Sequence, residues 1–124
     1  MRLYTKDHTW VEAAGTRARV GISEFAQSEL GDIAYVELPQ RGKHVLRGEV
    51  VCTVDSLKSS SEIYAPVSGV VADINAMLSA EENCTIVNRD PLGEGWLIVI
   101  EMQDQEELRL LLTEEAYVSS TRGD

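Results

Sequence analysis

The sequence predicts a single α+β domain that consists mainly of β-strands, arranged as a sandwich or flattened barrel of antiparallel sheets. Short apolar runs recur along the chain and are separated by glycine and proline, as is typical of β-rich folds. Helical patterns are few and lie outside these runs. A chain of 124 residues has the length of one domain. We place this domain at residues 1–118 and expect a polar C-terminal tail at 119–124.

The strand candidates follow one another from residue 9 to residue 101. Residues 9–12 and 17–20 flank a turn at Gly15 and predict a hairpin. Further strands are predicted where β-branched and aromatic residues cluster, at 33–38, 49–55, 61–65, 69–74 and 96–101. The last run is apolar almost throughout, which indicates a buried strand.

The predicted helices are short and peripheral. Ser23 is a good N-cap for a helix over residues 24–30, and Gly31 can end that helix in a left-handed conformation. Near the C-terminus, leucines at 108, 111 and 112 have the i, i+3, i+4 spacing of an amphipathic helix. We therefore expect a C-terminal surface helix that docks on the core.

The charge composition excludes several classes of partner. Eleven Lys and Arg face 21 Asp and Glu, which gives a formal net charge of −10. Such a surface repels phosphate backbones and anionic lipids, so we expect neither nucleic-acid nor membrane binding. The N-terminus has no pattern of a targeting segment. With Cys52 and Cys84 as two reduced thiols, the expectation is a cytoplasmic, bacterial-type protein.

The motifs of conventional catalysis are missing from the sequence. It contains no G-x-S-x-G elbow, no H-E-x-x-H, no C-x-x-C and no phosphate-binding glycine loop. His8 and His44 lie far apart and have no nearby ligand partners in sequence. We therefore expect no catalytic residues and no metal site.

One segment stands out between two β-rich runs. Residues 55–62 contain Lys58 as their only cation, and the flanking strands can pair as a hairpin with Leu57 and Lys58 near its tip. Because the tip has no Gly or Asn, we expect a type I turn. A lysine amine is protonated at neutral pH and is a poor nucleophile. A lysine at this position is therefore of interest mainly as an attachment point.

The same hairpin resembles the lipoyl-lysine hairpin, whose common pattern is E-S-V-K-A followed by S-D-I-Y-A-P-V-S-G. Here residues 55–58 read D-S-L-K and residues 61–69 read S-E-I-Y-A-P-V-S-G. The resemblance extends over nearly the whole chain to the H-protein family of the glycine cleavage system. Further matches lie in order at residues 7–10, 20–27, 30–33, 36–39, 87–88 and 90–97.

The resemblance implies a lipoyl/biotinyl-domain-like sandwich of two antiparallel sheets with short peripheral helices. Lys58 would carry lipoic acid in amide linkage, and Asp55 and Glu62 would flank it and serve recognition or contact with the arm. The chain would be a non-catalytic carrier that shuttles the aminomethyl group of glycine from the glycine decarboxylase to the aminomethyltransferase.

Two further kinds of partner follow from the resemblance. A dihydrolipoamide dehydrogenase would reoxidise the dihydrolipoamide that the chain presents, and lipoyl-attaching enzymes would modify Lys58. An arm that visits several active sites argues for a monomer.

Two departures from the family pattern fall close to the proposed chemistry. Asp55 replaces a glutamate and keeps its charge with a shorter reach. Thr9 replaces a glutamate that the family associates with holding the loaded arm, and a hydroxyl offers no charge-assisted hydrogen bond. Glu62 could compensate in part.

Two alternatives therefore remain open at the level of sequence. One is an H-like lipoyl carrier that relays lipoate or redox equivalents to other proteins. The other is an unmodified interaction module in which Lys58 is merely solvated.

Overall fold

Ten strands form two antiparallel sheets in the computed structural model, which describes residues 2–122. The strands are β1 (Arg2–Tyr4), β2 (Thr9–Ala14), β3 (Arg17–Ile22), β4 (Ile33–Glu37), β5 (His44–Val45), β6 (Val50–Ser56), β7 (Ser60–Tyr64), β8 (Gly69–Ile74), β9 (Ile98–Met102) and β10 (Leu112–Thr113). The large sheet has the order β10-β1-β2-β3-β9-β8-β5, and the small sheet has the order β4-β6-β7. The predicted sandwich of two antiparallel sheets is therefore confirmed.

The helices lie outside the sheets, as predicted. They are α1 (Glu24–Leu30), α2 (Ile86–Arg89) and α3 (Glu114–Arg122), with 3₁₀ turns at Ala76–Ser79, Glu81–Asn83 and Gln105–Leu110. Ser23 caps α1 by accepting a hydrogen bond from the backbone N–H of Ala26, and Gly31 ends it at a φ of +80°. None of the helices within residues 2–122 is long and apolar enough to cross a bilayer.

The main core lies between the two sheets. Buried residues alternate with more exposed ones in strands such as β9, which is the period-2 pattern of a sheet with one solvated face, whereas β2 and β3 each have a run of three buried residues. Val11, Val20 and Ile100 come from the large sheet, and Val54 and Ile63 come from the small one; all are buried. Each such side chain contributes about 1.5–3 kcal/mol when it is fully buried. This packing fixes the small sheet, which carries Lys58, on the large one.

A second, aromatic cluster lies apart from the main core. Tyr4, Trp10 and Tyr117 form it, and the Trp10 indole N–H donates a hydrogen bond to the carbonyl of Pro91. Gly21 pairs with Trp10 across β2 and β3. A Cβ on Gly21 would lie 2.6 Å from the indole ring, so the ring can pack flat on the sheet only because position 21 has no side chain.

The C-terminal helix lies one element later than the leucine spacing predicts. Leu108 belongs to a 3₁₀ turn and Leu112 pairs with Tyr4 in β10, whereas α3 begins at Glu114. Leu108 and Leu111 do pack on the main core, so the apolar spacing marks burial rather than an α-helix. Residues 119–122, which the sequence assigns to a polar tail, continue α3, and residues 123–124 lie outside the described part of the chain.

The strand predicted over residues 96–101 differs from the prediction in its position and its burial. β9 begins at Ile98, and its buried residues alternate with half-buried Val99 and Glu101. Glu101 forms an ion pair with Arg17 on the outside of the large sheet. β9 therefore has one buried face and one partly solvated face.

Candidate functional site

Lys58 lies at the tip of the β6–β7 hairpin. The strands pair up to Asp55 and Ser60, and the turn closes where the backbone N–H of Ser56 donates to the carbonyl of Ser59 at 2.8 Å. The Ser56 hydroxyl accepts from the backbone N–H groups of Lys58 and Ser59. Among residues 2–122, His8 is the only non-glycine residue with a positive φ. The turn is therefore not of type I′, II′ or II. The Ser59 N–H bonds to the Ser56 hydroxyl, and the type I geometry stays a prediction.

The tip is held from outside the hairpin. The backbone N–H of Leu57 donates to the carbonyl of Asp32 at 3.0 Å. Asn88 on α2 braces the segment that contains Asp32, because its amide group donates to the carbonyl of Gly31 and accepts from the backbone N–H of Ile33, both at 2.8 Å. The hairpin tip therefore rests on a fixed segment between α1 and β4.

The Lys58 side chain is open to solvent. The residue is exposed, and none of the ion pairs within residues 2–122 involves its amine. Its stem passes beside Gly31, where a Cβ would lie 3.6 Å from Cε of Lys58. Leu57 next to it is 78% exposed. An enzyme can therefore reach a primary amine at this tip without breaking an ion pair.

Two carboxylates flank Lys58 on the two strands of the hairpin. Asp55 accepts a hydrogen bond from the Ser60 hydroxyl, and Glu62 accepts one from the Tyr64 hydroxyl at 3.3 Å. The negative charge of Glu62 is the main reason that the pKa of Tyr64 is raised, and partial burial and the charge of Asp7 add to it. Asp7 thus lies close enough to this edge of the hairpin to act on it electrostatically.

An open cleft of about 730 Å³ lies between this edge and the loop before β2. The residues that line it come from both sides: Lys6, Asp7, His8, Thr53, Ser60, Ser61, Glu62 and Tyr64. Thr9, which the sequence associates with the arm cleft, does not line it. Thr9 is 1% exposed, and its hydroxyl has no hydrogen-bond partner among the described residues. The structure therefore brings Glu62 and Asp7 to the cleft and leaves Thr9 beneath the surface.

His8 connects the cleft to the C-terminal helix. Its φ is +69°, a conformation that costs a non-glycine residue about 1–2 kcal/mol. Nδ1 of His8 and the Ser23 hydroxyl each lie 2.7 Å from the Tyr117 hydroxyl, and the imidazole packs on the ring of Phe25. Sequence reasoning treats His8 as an ordinary polar residue, whereas the structure gives it a role in docking α3.

Sequence reasoning missed the residues that support the tip. Ser56 stands at the first position of the turn, where serine is favoured, so a local signal for it exists. Asp32 acts through a backbone carbonyl and Asn88 lies on a four-residue helix, and neither has a pattern that points to the hairpin.

Comparison with known proteins identifies the family. The family model described as glycine cleavage H-protein matches residues 2–123. The glycine cleavage system H protein of Thermotoga maritima is 45% identical over 117 residues, which cover 94% of this chain and 93% of that protein. The H protein of Bacillus subtilis is 42% identical over 121 residues, with 98% and 94% covered.

A solved structure agrees with these sequence matches. The crystal structure of a glycine cleavage system H protein from Mycobacterium marinum superposes with a TM-score of 0.83 at 34% identity, over 99% of this chain and 97% of that chain. The hairpin, its exposed lysine and the two-sheet sandwich thus occur in a chain that matches H proteins over almost its full length. The chain belongs to the glycine cleavage H-protein family.

Proposed function

We propose that this chain carries a lipoyl group in amide linkage on Lys58 and moves the aminomethyl group of glycine between enzymes. Family membership gives the coarser role, that of a lipoyl carrier in glycine cleavage. The observation that supports the finer proposal is the exposed Lys58 at a braced hairpin tip.

The residues at the tip fit an amide-linked group. Attachment needs an accessible primary amine, and Lys58 is exposed and outside the ion pairs of the described residues. The hairpin must also withstand contact with enzymes. The hydrogen bond from Leu57 to Asp32 and the bonds of Asn88 to Gly31 supply that support.

The group supplies a cyclic disulfide that can accept electrons and a one-carbon unit through thiol chemistry when it is bound. The chain itself tethers the lipoyl group, positions it, and offers negative charge that balances a cationic group attached to it. Acylation removes the charge of Lys58, and the tether raises the effective concentration at each active site. Asp7 and Glu62, both lining the cleft, offer negative charge to a cationic group held there.

The partners in this proposal are enzymes that perform the difficult chemistry. They are a glycine decarboxylase, an aminomethyltransferase, a dihydrolipoamide dehydrogenase and lipoyl-attaching enzymes. Asp55 and Glu62 flank the lysine that these last enzymes must recognise. The names of the relatives favour glycine cleavage over the alternative of a carrier that works outside it.

Replacement of Lys58 by arginine tests the proposal directly. Wild-type apoprotein, incubated with lipoate, ATP and a lipoate–protein ligase, should gain the mass of one lipoyl amide in intact-mass spectrometry. Lys58→Arg should gain none, because the guanidinium is not acylated, and its free energy of unfolding should change by less than about 0.5 kcal/mol.

The matched control is Lys43→Arg, another exposed lysine, which should be modified like wild type. Modification of the Lys58→Arg variant would place the attachment elsewhere. A wild-type chain that stays unmodified would support the alternative of an unmodified interaction module.

A further inference from the structure

The small sheet has one face that points away from the core. Strand register places Tyr35, Asp55 and Ser60 in one row across β4, β6 and β7, and Glu37, Thr53 and Glu62 in the next. Residues of the intervening row, such as Val54, are buried inside the sandwich. We call these two outward rows the outer face.

The outer face is acidic and begins next to Lys58. Glu37, Asp55 and Glu62 lie on it, and β4, β6 and β7 contain no lysine or arginine. Cations border it. Lys6 lines the cleft beside β7. At the far end, Arg41 and Lys43 line a pocket together with Glu37, and Arg41 is paired with Asp73 at 3.1 Å.

The outer face also carries an exposed aromatic side chain. Tyr35 is 46% exposed and makes no side-chain hydrogen bond among the described residues, although it lies in the row nearest the hairpin tip. Tyrosine is enriched in the energetically important centres of protein interfaces. A tyrosine surrounded by carboxylates is complementary to a surface that combines arginine or lysine with an apolar pocket.

The position of the outer face indicates which kind of enzyme would contact it. An enzyme that acts at the end of a long arm can stay away from the hairpin. An enzyme that acylates the amine of Lys58 must enclose the tip itself, and the side of the tip next to Gly31 and Asp32 is already occupied by the chain. The sides of the tip that stay open to the rim of such an active site are the outer face and the edge of β7 beside the cleft.

We propose that the outer face is the docking surface for the basic rim of the enzyme that acylates Lys58. This inference rests on the proposed function, because it takes Lys58 as the attachment site. Tyr35 and Glu37 on β4 are its new recognition residues, and they act together with the acidic residues of the hairpin.

Steady-state kinetics of lipoate–protein ligase test the inference, with the full-length apoprotein as the varied substrate. Glu37→Gln should raise the KM for the apoprotein about threefold and leave kcat unchanged, since charges at the rim act on association. The KM should also depend less on salt than that of wild type. Tyr35→Ser should raise the KM without changing its salt dependence.

The control is Glu115→Gln. Glu115 is exposed on α3, outside the small sheet, and the variant changes the net charge by the same single unit. It should behave like wild type. If the two variants have equal KM values while wild type is acylated, the inference is wrong and the proposed function stands. If wild type is not acylated, both fail.

Discussion

At the scale of single residues, the candidate attachment lysine lies within a local sequence motif, whereas the residues that support the hairpin tip do not. Lys58 can be proposed from the sequence because the residues that mark it are its neighbours along the chain. Asp32 and Asn88, which hold the tip, come from distant segments. Asp32 acts through its backbone carbonyl, and Asn88 acts through its side-chain amide on backbone groups. Thr9 is visible in the sequence as a departure from the family pattern, but its burial depends on packing between distant segments, which no local pattern reveals.

Thr9→Val should make the protein more stable. The Thr9 hydroxyl is buried and has no hydrogen-bond partner among the described residues, and valine has nearly the same shape without the unpaired polar group. We expect the free energy of unfolding in urea to rise by about 1 kcal/mol. Thr53→Val, at a half-exposed site on the outer face, should change it by less than about 0.5 kcal/mol. A loss of stability in Thr9→Val would show that the hydroxyl has a partner.

At the scale of elements, the sequence predicts long strands well and short ones poorly. The hairpin of β2 and β3, and strands β4, β6, β7 and β8, have enough residues to show alternation. β1, β5 and β10 have two or three residues each, which is too few for a period. The leucines near residue 110 match a helical spacing, yet Leu112 is drawn into pairing with Tyr4, so tertiary contacts override the local pattern.

Helix α3 is docked mainly by one side chain. Tyr117 is its one buried residue among positions 114–121, stacked on Tyr4 with a centroid distance of 4.3 Å and bonded through its hydroxyl to His8 and Ser23. Tyr117→Phe keeps the stacking and removes both hydrogen bonds. It should lower the free energy of unfolding by about 1–3 kcal/mol.

Amide hydrogen exchange shows which part of the chain loses stability in Tyr117→Phe. Protection should fall in α3 and around His8 before it falls in the sheets, because a helix held by one contact opens locally. Tyr35→Phe, at an exposed tyrosine, is the control and should leave both stability and protection unchanged. Equal loss of protection throughout the chain would argue against local docking by Tyr117.

At the scale of the whole molecule, the two-sheet sandwich could be predicted because hydrophobic alternation and turn residues agree along most of the chain. The order of strands in the large sheet could not, because it depends on pairings between residues far apart in sequence. The same packing buries Cys52 between the sheets, and this burial raises its pKa to about 12.

Buried Cys52 should weaken the fold at alkaline pH. In the unfolded chain a cysteine thiol has a pKa of about 8.5, so between that value and about 12 the unfolded state loses a proton that the folded state keeps. The free energy of unfolding should therefore fall by about 1.4 kcal/mol per pH unit on account of this thiol. Cys52→Ala should show a shallower decline between about pH 9 and 11.

A neighbouring core truncation separates this effect from a loss of packing. Val54→Ala removes buried volume from the same strand without removing a titratable group. It should lower stability at every pH and keep the slope of wild type in urea titrations. If Cys52→Ala also keeps that slope, the thiol ionises equally in both states.

Gly31 has an effect beyond ending its helix. The methylene beside the amine of Lys58 passes over a bare backbone, and any larger residue there would touch it. A side chain at position 31 would pack on the lysine stem and limit its rotamers, whereas glycine leaves that space open. In the proposed function, this freedom lets the attached group take several orientations on a tip that is itself braced.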